Sequence, residues 1–273
     1  MHTWHWQTWN DLPYLTCSLL EPWQHGWFTQ KFAPKTPFEL TAELYPQAIA
    51  YRAKQVHGDT VLAPAEMPSP LHADNLPDGD GVISQDSHQA VWVCTADCTP
   101  VLIGDGQTGQ VAAVHAGWRG TAKKIVPVAI ERLLQQGSQL ADLRVAMGPA
   151  IAGEVYQVDA EVAVQTAATI APETAEMALE EAIEYLQALA NSPVLPDPQA
   201  GKVRLNVRQV NALQLEQLGL APEQIAISPH CTYQDPDNFF SHRRAPLRKA
   251  QWAGIVSRRT SIPRTQARAG CCL

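Results

Sequence analysis

The chain predicts a single domain that mixes strands and helices, and three observations carry that prediction. Short Val-rich runs bounded by turn residues, at 90–94, 101–103 and 111–114, read as buried strands. Stretches with helical spacing of apolar residues, such as the one following Thr121, are interspersed with further strand-like runs. No internal repeat, low-complexity segment or domain boundary interrupts the 273 residues. A chain near this length hides about three quarters of its unfolded surface, enough for a real core.

Near the start, Trp4 and Trp6 alternate with polar neighbours and suit an edge strand, and His25-Gly26-Trp27-Phe28 suits a turn into a second strand. Five of the eight tryptophans fall in this first stretch and are read as packing residues. Residues 33–46, interrupted by prolines, receive no assignment. Residues 51–56 read as a strand that delivers His57 into a Gly-containing loop. A Pro-rich loop over 64–77 follows. Asp78-Gly79-Asp80-Gly81 then turns into the strand Val82-Ile83-Ser84, so Asp78 and Asp80 are read first as turn formers.

After the central strands a helix is expected from Thr121 to Gln136, stopped by Gly137, with Pro127 demanding a kink or a later start. Residues 143–147 read as a strand. Residues 162–170 and 173–190 read as helices, the second acidic, with Met177, Ile183, Leu186 and Leu189 as its inner face. A linker is expected over 193–201 and a strand over 203–205. Asn206 should cap a helix carrying Val210, Leu213 and Leu218, ended by Gly219. Residues 225–228 form the last strand expected. From Arg258 the chain carries Pro263 and four arginines and is read as a flexible basic tail, 258–273.

Composition narrows the function classes. A hydrophobic fraction of 45% with 17% charged residues is ordinary for a soluble protein. The net charge of −7 argues against nucleic acid as a partner. No apolar run approaches the ~18 residues of a membrane span, and no basic segment with an apolar core marks a signal peptide at the start. Six cysteines spread over this length do not resemble a disulfide framework and point to a reducing cytoplasm. The terminal Gly270-Cys271-Cys272-Leu273 is not a prenylation box.

Reactive residues gather where the central strands end. Thr95-Ala96-Asp97-Cys98 follows the first and His115-Ala116-Gly117-Trp118-Arg119-Gly120 the third. A second pair, His230-Cys231, follows the last expected strand. Taken singly, a buried Cys or His is more often structural. Together, His57, Cys98 and His115 could supply the three protein ligands of a catalytic zinc with an open fourth position. They are far apart in sequence and match no short zinc signature, and Cys94 is an alternative thiol.

The ordered motifs KQVHGDTV, DGDGVIS, TADCTPVLIGD, VAAVHAGWRGT, GPAIAGEVYQV and SPHCTYQDPDNFFSHRR resemble the YfiH/YlmD family. Its members are also called laccase-domain or multicopper polyphenol oxidase proteins, and are commonly described as purine nucleoside phosphorylases. The resemblance spans about residues 27–244. It implies a single-domain α+β fold with mixed sheets sandwiched between helices, α/β/β/α, like that of the cytotoxic necrotizing factor deamidases. Residues 1–257 would form the catalytic domain, with metal ligands at His57, Cys98 and His115.

The implied activity is zinc-dependent phosphorolysis of adenosine, inosine and S-methyl-5'-thioadenosine, with adenosine deamination beside it. Purine nucleoside and phosphate are then the partners, without nucleic acid or membrane, for a monomer or weak homo-oligomer. Asp97 and His230 are the candidates for proton transfer, with Cys98 and Cys231 as catalytic thiols. Arg119, Arg243, the helix start near Gly120 and Lys54 are candidates for holding phosphate. Three departures stand out: Ala150 and Glu154 lie where many members carry cysteines, the helix over 174–190 is an enlargement, and Asn206 replaces an expected Asp.

Three rivals come from other classes. A Cys/His hydrolase or amidase acting on a peptidoglycan precursor would use Cys98 as nucleophile and His115 as base. A copper-dependent polyphenol oxidase would need many imidazoles, although copper uptake by these ligands in vitro is expected. A non-enzymatic binding protein would use zinc as a structural pin, with Cys231 or His230 as fourth ligand.

Overall fold

The computed structural model describes residues 2–68, 74–246 and 249–259. In chain order it begins with β1 (Trp4–Trp9), β2 (Leu12–Cys17), β3 (His25–Phe28), α1 (Pro37–Leu44), β4 (Ile49–Tyr51), β5 (Val61–Leu62) and β6 (Gly81–Ile83). The central part is β7 (Gln89–Thr95), β8 (Thr99–Asp105), β9 (Val111–Ala116), α2 (Trp118–Ala122), α3 (Ile125–Gln135) and β10 (Leu143–Met147). Then come β11 (Gln157–Asp159), α4 (Ala160–Ala167), α5 (Leu179–Gln187), β12 (Val194–Pro196), β13 (Lys202–Leu205), α6 (Val207–Gln217), β14 (Ile225–Ile227) and β15 (Gln251–Val256).

Two six-stranded sheets, ordered β1-β2-β3-β15-β7-β4 and β14-β10-β8-β9-β6-β5, form the body, and β11-β13-β12 forms a small third sheet. Side-chain alternation explains how they stack. Val91, Val93, Ala253 and Ile255 of the first sheet meet Val82, Leu102 and Ala113 of the second in one buried cluster. The opposite faces of the same strands are also covered. Ala90 and Trp92 pack with Leu40 of α1, and Val101, Ile103 and Val114 pack with Ile125, Ala129 and Leu133 of α3 and Leu215 of α6. Burial on both faces is why these strands read as continuous apolar runs. The layers are therefore helix, sheet, sheet, helix, a single α+β domain.

Several elements depart from the sequence expectation. Residues 33–46 contain α1, whose Pro37 opens the helix and whose Thr36 and Glu39 form a capping box, so the prolines mark a start. β15, unassigned from sequence, runs through the middle of the first sheet between β3 and β7. Its Gly254 hides it from a strand reading, yet a Cβ there would lie 2.4 Å from the Trp92 ring. The helix expected from Thr121 is two helices, divided at Lys124, which has a left-handed φ of 59°. Pro127 sits in the first turn of α3, where its missing N–H costs nothing.

The second expected acidic helix is shorter, with Met177 before its start and Leu186 as its fully buried contact. Residues 193–201 include β12 rather than forming only a linker. Arg258 is packed rather than frayed: it donates to Gly106 O and lies over Trp23. The rest of the expected tail, from Thr260, and the Cys271-Cys272 pair lie outside the described residues.

Asn206 does cap α6, its Oδ1 accepting from Gln209 N at 3.2 Å. Asn206→Ala is expected to cost about 1 kcal/mol in urea unfolding, and Asn206→Asp to keep most of the stability. An alanine variant as stable as wild type would remove the cap from this account.

Candidate metal centre

The site is built at one end of the second sheet. Antiparallel pairing of β8 with β9 sets Thr99 opposite Ala116, which brings Cys98, just before β8, beside His115 and Gly117. Backbone approach there is close: a Cβ on Gly117 would lie 2.8 Å from Cys98 Sγ and 3.6 Å from the His57 ring. His57 arrives on the loop between β4 and β5 with a left-handed φ of 60°. Gln55 holds that loop, its amide donating to Cys94 O and accepting from Cys94 N, both at 2.7 Å.

The ligand atoms of His57, Cys98 and His115 all lie within 4.8 Å of one another. A tetrahedral zinc with bonds of about 2.0–2.3 Å sets its ligand atoms roughly 3.4–3.8 Å apart, within that envelope. His115 is buried, Cys98 half-buried and His57 exposed, so the set opens toward solvent on the His57 side. Two imidazoles and a thiolate suit a borderline-soft divalent ion. Among the described residues this is the one such group of His, Cys, Asp and Glu.

Asp80 organises the set, and the turn reading of the sequence missed it. Its carboxylate is fully buried and accepts four N–H bonds. Three come from the backbone of Val56, His57 and Gly58, at 3.1, 2.9 and 2.7 Å, and one from His115 Nδ1, at 2.8 Å. Pairing of β6 with β9 places it there, and Asp80 O also accepts from His115 N at 2.7 Å. With Nδ1 committed to Asp80, His115 turns Nε2 toward Cys98 and His57, the carboxylate–histidine arrangement that orients metal ligands. The sequence signal was available: Asp80 directly precedes a strand inside the DGDGVIS motif.

Charge follows from this geometry. Burial pushes the Cys98 thiol up, but the His115 charge and hydrogen bonds from His115 and His57 override it, bringing the thiol down to about 6. Burial lowers His115, but the Cys98 charge and the hydrogen bonds to Asp80 and Cys98 raise it to about 9. Without metal the pair is thus thiolate against imidazolium. Asp80 resists burial through the His115 and backbone N–H bonds and stays below the usual carboxylate range. Geometry decides between the two thiols, since Cys98 and not Cys94 lies in the ligand cluster, and burial raises Cys94 to about 11.

The other expected residues are placed as follows. Asp97, at a positive φ of 92°, is buried with both oxygens engaged, Oδ1 accepting from Thr232 Oγ1 and Oδ2 from Arg243 N, each at 2.7 Å. That fits a fastener of the Cys98 loop better than a free acid/base. The His230 ring packs against Trp6 and Phe239, outside the cluster. Cys231 is buried, accepting at Sγ from Ala152 N, also outside it. Lys54 is paired with Asp78 at the surface. The short α2, Trp118–Ala122, follows Gly117 directly.

Arg119 lies over the Trp118 ring at 4.3 Å and Arg243 over the Tyr156 ring at 4.9 Å. Neither forms an ion pair with a carboxylate among the described residues. Tyr156 was missed in the sequence. Burial and then the Cys98 charge raise its hydroxyl to about 12, against the opposing pull of Arg243 and Arg119.

Residues 38–258 match the family model described as multi-copper polyphenol oxidoreductase laccase. The chain belongs to this family. A Synechocystis sp. relative named purine nucleoside phosphorylase is 52% identical over 256 residues, covering 93% of this chain and 97% of that one. A protein of an unknown prokaryotic organism named adenosine deaminase RL5 is 31% identical, over 60% of this chain and 56% of its own length. In fold, the crystal structure of Bacillus licheniformis YfiH superposes with a TM-score of 0.73 at 23% identity, covering 93% of this chain and 99% of that one. Among the described residues no helix is long and apolar enough to cross a membrane.

Proposed function

We propose that this member of the family is a zinc-dependent purine nucleoside phosphorylase that also deaminates adenosine. The names of the Synechocystis and RL5 relatives support the two activities. The single observation that carries a metal-dependent reading is the second imidazole. A Cys–His–Asp hydrolase needs only Cys98, His115 and Asp80, whereas here the His57 ring also stands 4.8 Å from the His115 ring, edge to face.

His57, Cys98 and His115 would hold the zinc, which would supply Lewis acidity and make water more acidic. The chain's own residues do the rest. Phosphorolysis joins a phosphate oxygen to ribose C1' as the purine leaves, giving free base and ribose 1-phosphate. Arg243 and Arg119, which pair with no carboxylate among the described residues, bind and orient that phosphate through charge-assisted hydrogen bonds. Deamination adds water at purine C6 and releases ammonia, and needs no phosphate. Asp97 holds the Cys98 loop and the Arg243 backbone in register, so metal and anion sites keep a fixed spacing. The free thiols of Cys17, Cys94, Cys98 and Cys231 suit a reducing cytoplasm.

Chelation is the test. Stripping the metal is expected to abolish both phosphorolysis and deamination, and zinc to restore them. A metal-free protein that cleaves an amide substrate would instead favour the hydrolase, for which the ionised Cys98–His115 pair is also suited.

A further inference from the structure

Arg243 is held from three directions. Its backbone N–H donates to Asp97 at 2.7 Å, one residue from the Cys98 ligand. Its guanidinium spends one donor on Gln157 O at 2.8 Å and lies 4.9 Å over the Tyr156 ring. Arginine carries five N–H donors in a rigid fork, so most remain unspent, and no carboxylate takes them among the described residues. Tyr156 is itself fixed: Leu205 N donates to its carbonyl at 3.0 Å, its own N–H donates to Gly153 O, and its ring packs on the core of the small third sheet.

We infer that Tyr156 is a positioning residue, its ring face and the neighbouring Gln157 carbonyl aiming the Arg243 fork at the phosphate co-substrate. This rests on the phosphorylase reading above. An unstacked arginine would lose rotamer freedom on binding an anion, whereas the exposed Arg243 guanidinium, already stacked on a fixed ring, has lost part of it beforehand. The third sheet thereby acquires a role at the metal centre, because it anchors the ring through β13. The ring does this work, so the hydroxyl is dispensable.

The experiment compares the zinc-loaded wild type with Tyr156→Leu, Tyr156→Met and Tyr156→Phe. Phosphorolysis is measured against phosphate concentration at saturating adenosine, with phosphate-free deamination alongside. The two aliphatic variants keep apolar packing against the third cluster, so either one suffices if the other is unstable. They are expected to raise the KM for phosphate about 2- to 5-fold, with a smaller change in kcat and in deamination. Tyr156→Phe is expected to restore the wild-type KM. A phosphate KM unmoved in both aliphatic variants, or phosphorolysis and deamination falling in parallel, overturns the positioning role. A zinc-loaded wild type that consumes no phosphate overturns the phosphorylase reading and the inference with it, an outcome distinct from an active wild type matched by its variants.

Discussion

Cys98→Ala is expected to lose zinc and both activities together. The thiolate is the one anionic ligand of the three, and His115 and His57 are arranged to keep it ionised. Without it only two imidazoles remain, one of them on an exposed loop. Zinc content should fall from about one ion per chain to background. Losing several kcal/mol of Lewis-acid stabilisation lowers both rates by roughly 10³-fold or more. The fold should survive, because the change removes only one half-buried sulfur atom.

Cys94→Ala is the matched control, since that thiol is neutral and hydrogen-bonds through its backbone to Gln55. It should retain its metal. Metal analysis and the two assays on both variants decide the matter. A Cys98→Ala protein that keeps zinc and both activities would show that the centre lies elsewhere. One that loses zinc but keeps activity would make the metal a structural pin.

The sequence made some of this legible and hid the rest for identifiable reasons. β7, β8 and β9 were readable because burial on both faces writes an unbroken apolar run. α6 was readable because Asn206 and Gly219 punctuate its ends. β15 was not, since Gly254 exists to admit the Trp92 ring, and local pattern carries no record of that long-range contact. The ligand trio could be proposed from residue type and strand-end placement but gained weight only from the ordered motifs, because His57 and Cys98 come from separate loops and His115 from β9. His230 and Cys231 looked like site residues because the pair follows the last expected strand inside an ordered motif. What places them outside the cluster is packing on Trp6 and a bond from Ala152, neither of which leaves a trace in sequence. Tyr156 and Asp80 failed in the opposite way: each is an ordinary residue whose importance comes from what it orients.

Asp80 is where that orientation can be measured most directly. Its carboxylate satisfies three backbone N–H groups of the His57 loop and the Nδ1–H of His115, in a place with no access to water. Asp80→Ala strands all four donors, and each stranded buried donor costs about 1–3 kcal/mol, so that variant should be severely destabilised. Asp80→Asn is the more informative change. It keeps the shape, but one acceptor oxygen becomes an NH2 group facing backbone donors, and the charge that holds the imidazole in its tautomer is gone. Stability in urea should fall by about 2–3 kcal/mol, and zinc affinity by about 10- to 100-fold.

The two losses are coupled, because the Asp80 that orders the His57 loop also aims His115. Saturating zinc binds only the folded state and should therefore recover part of the lost stability. A packing role alone predicts the urea shift without the affinity shift, since zinc would then find His57, Cys98 and His115 unmoved once the chain had folded. Zinc affinity within about twofold of wild type in a folded Asp80→Asn protein would leave Asp80 a loop fastener and return the orientation of His115 to its burial at the end of β9.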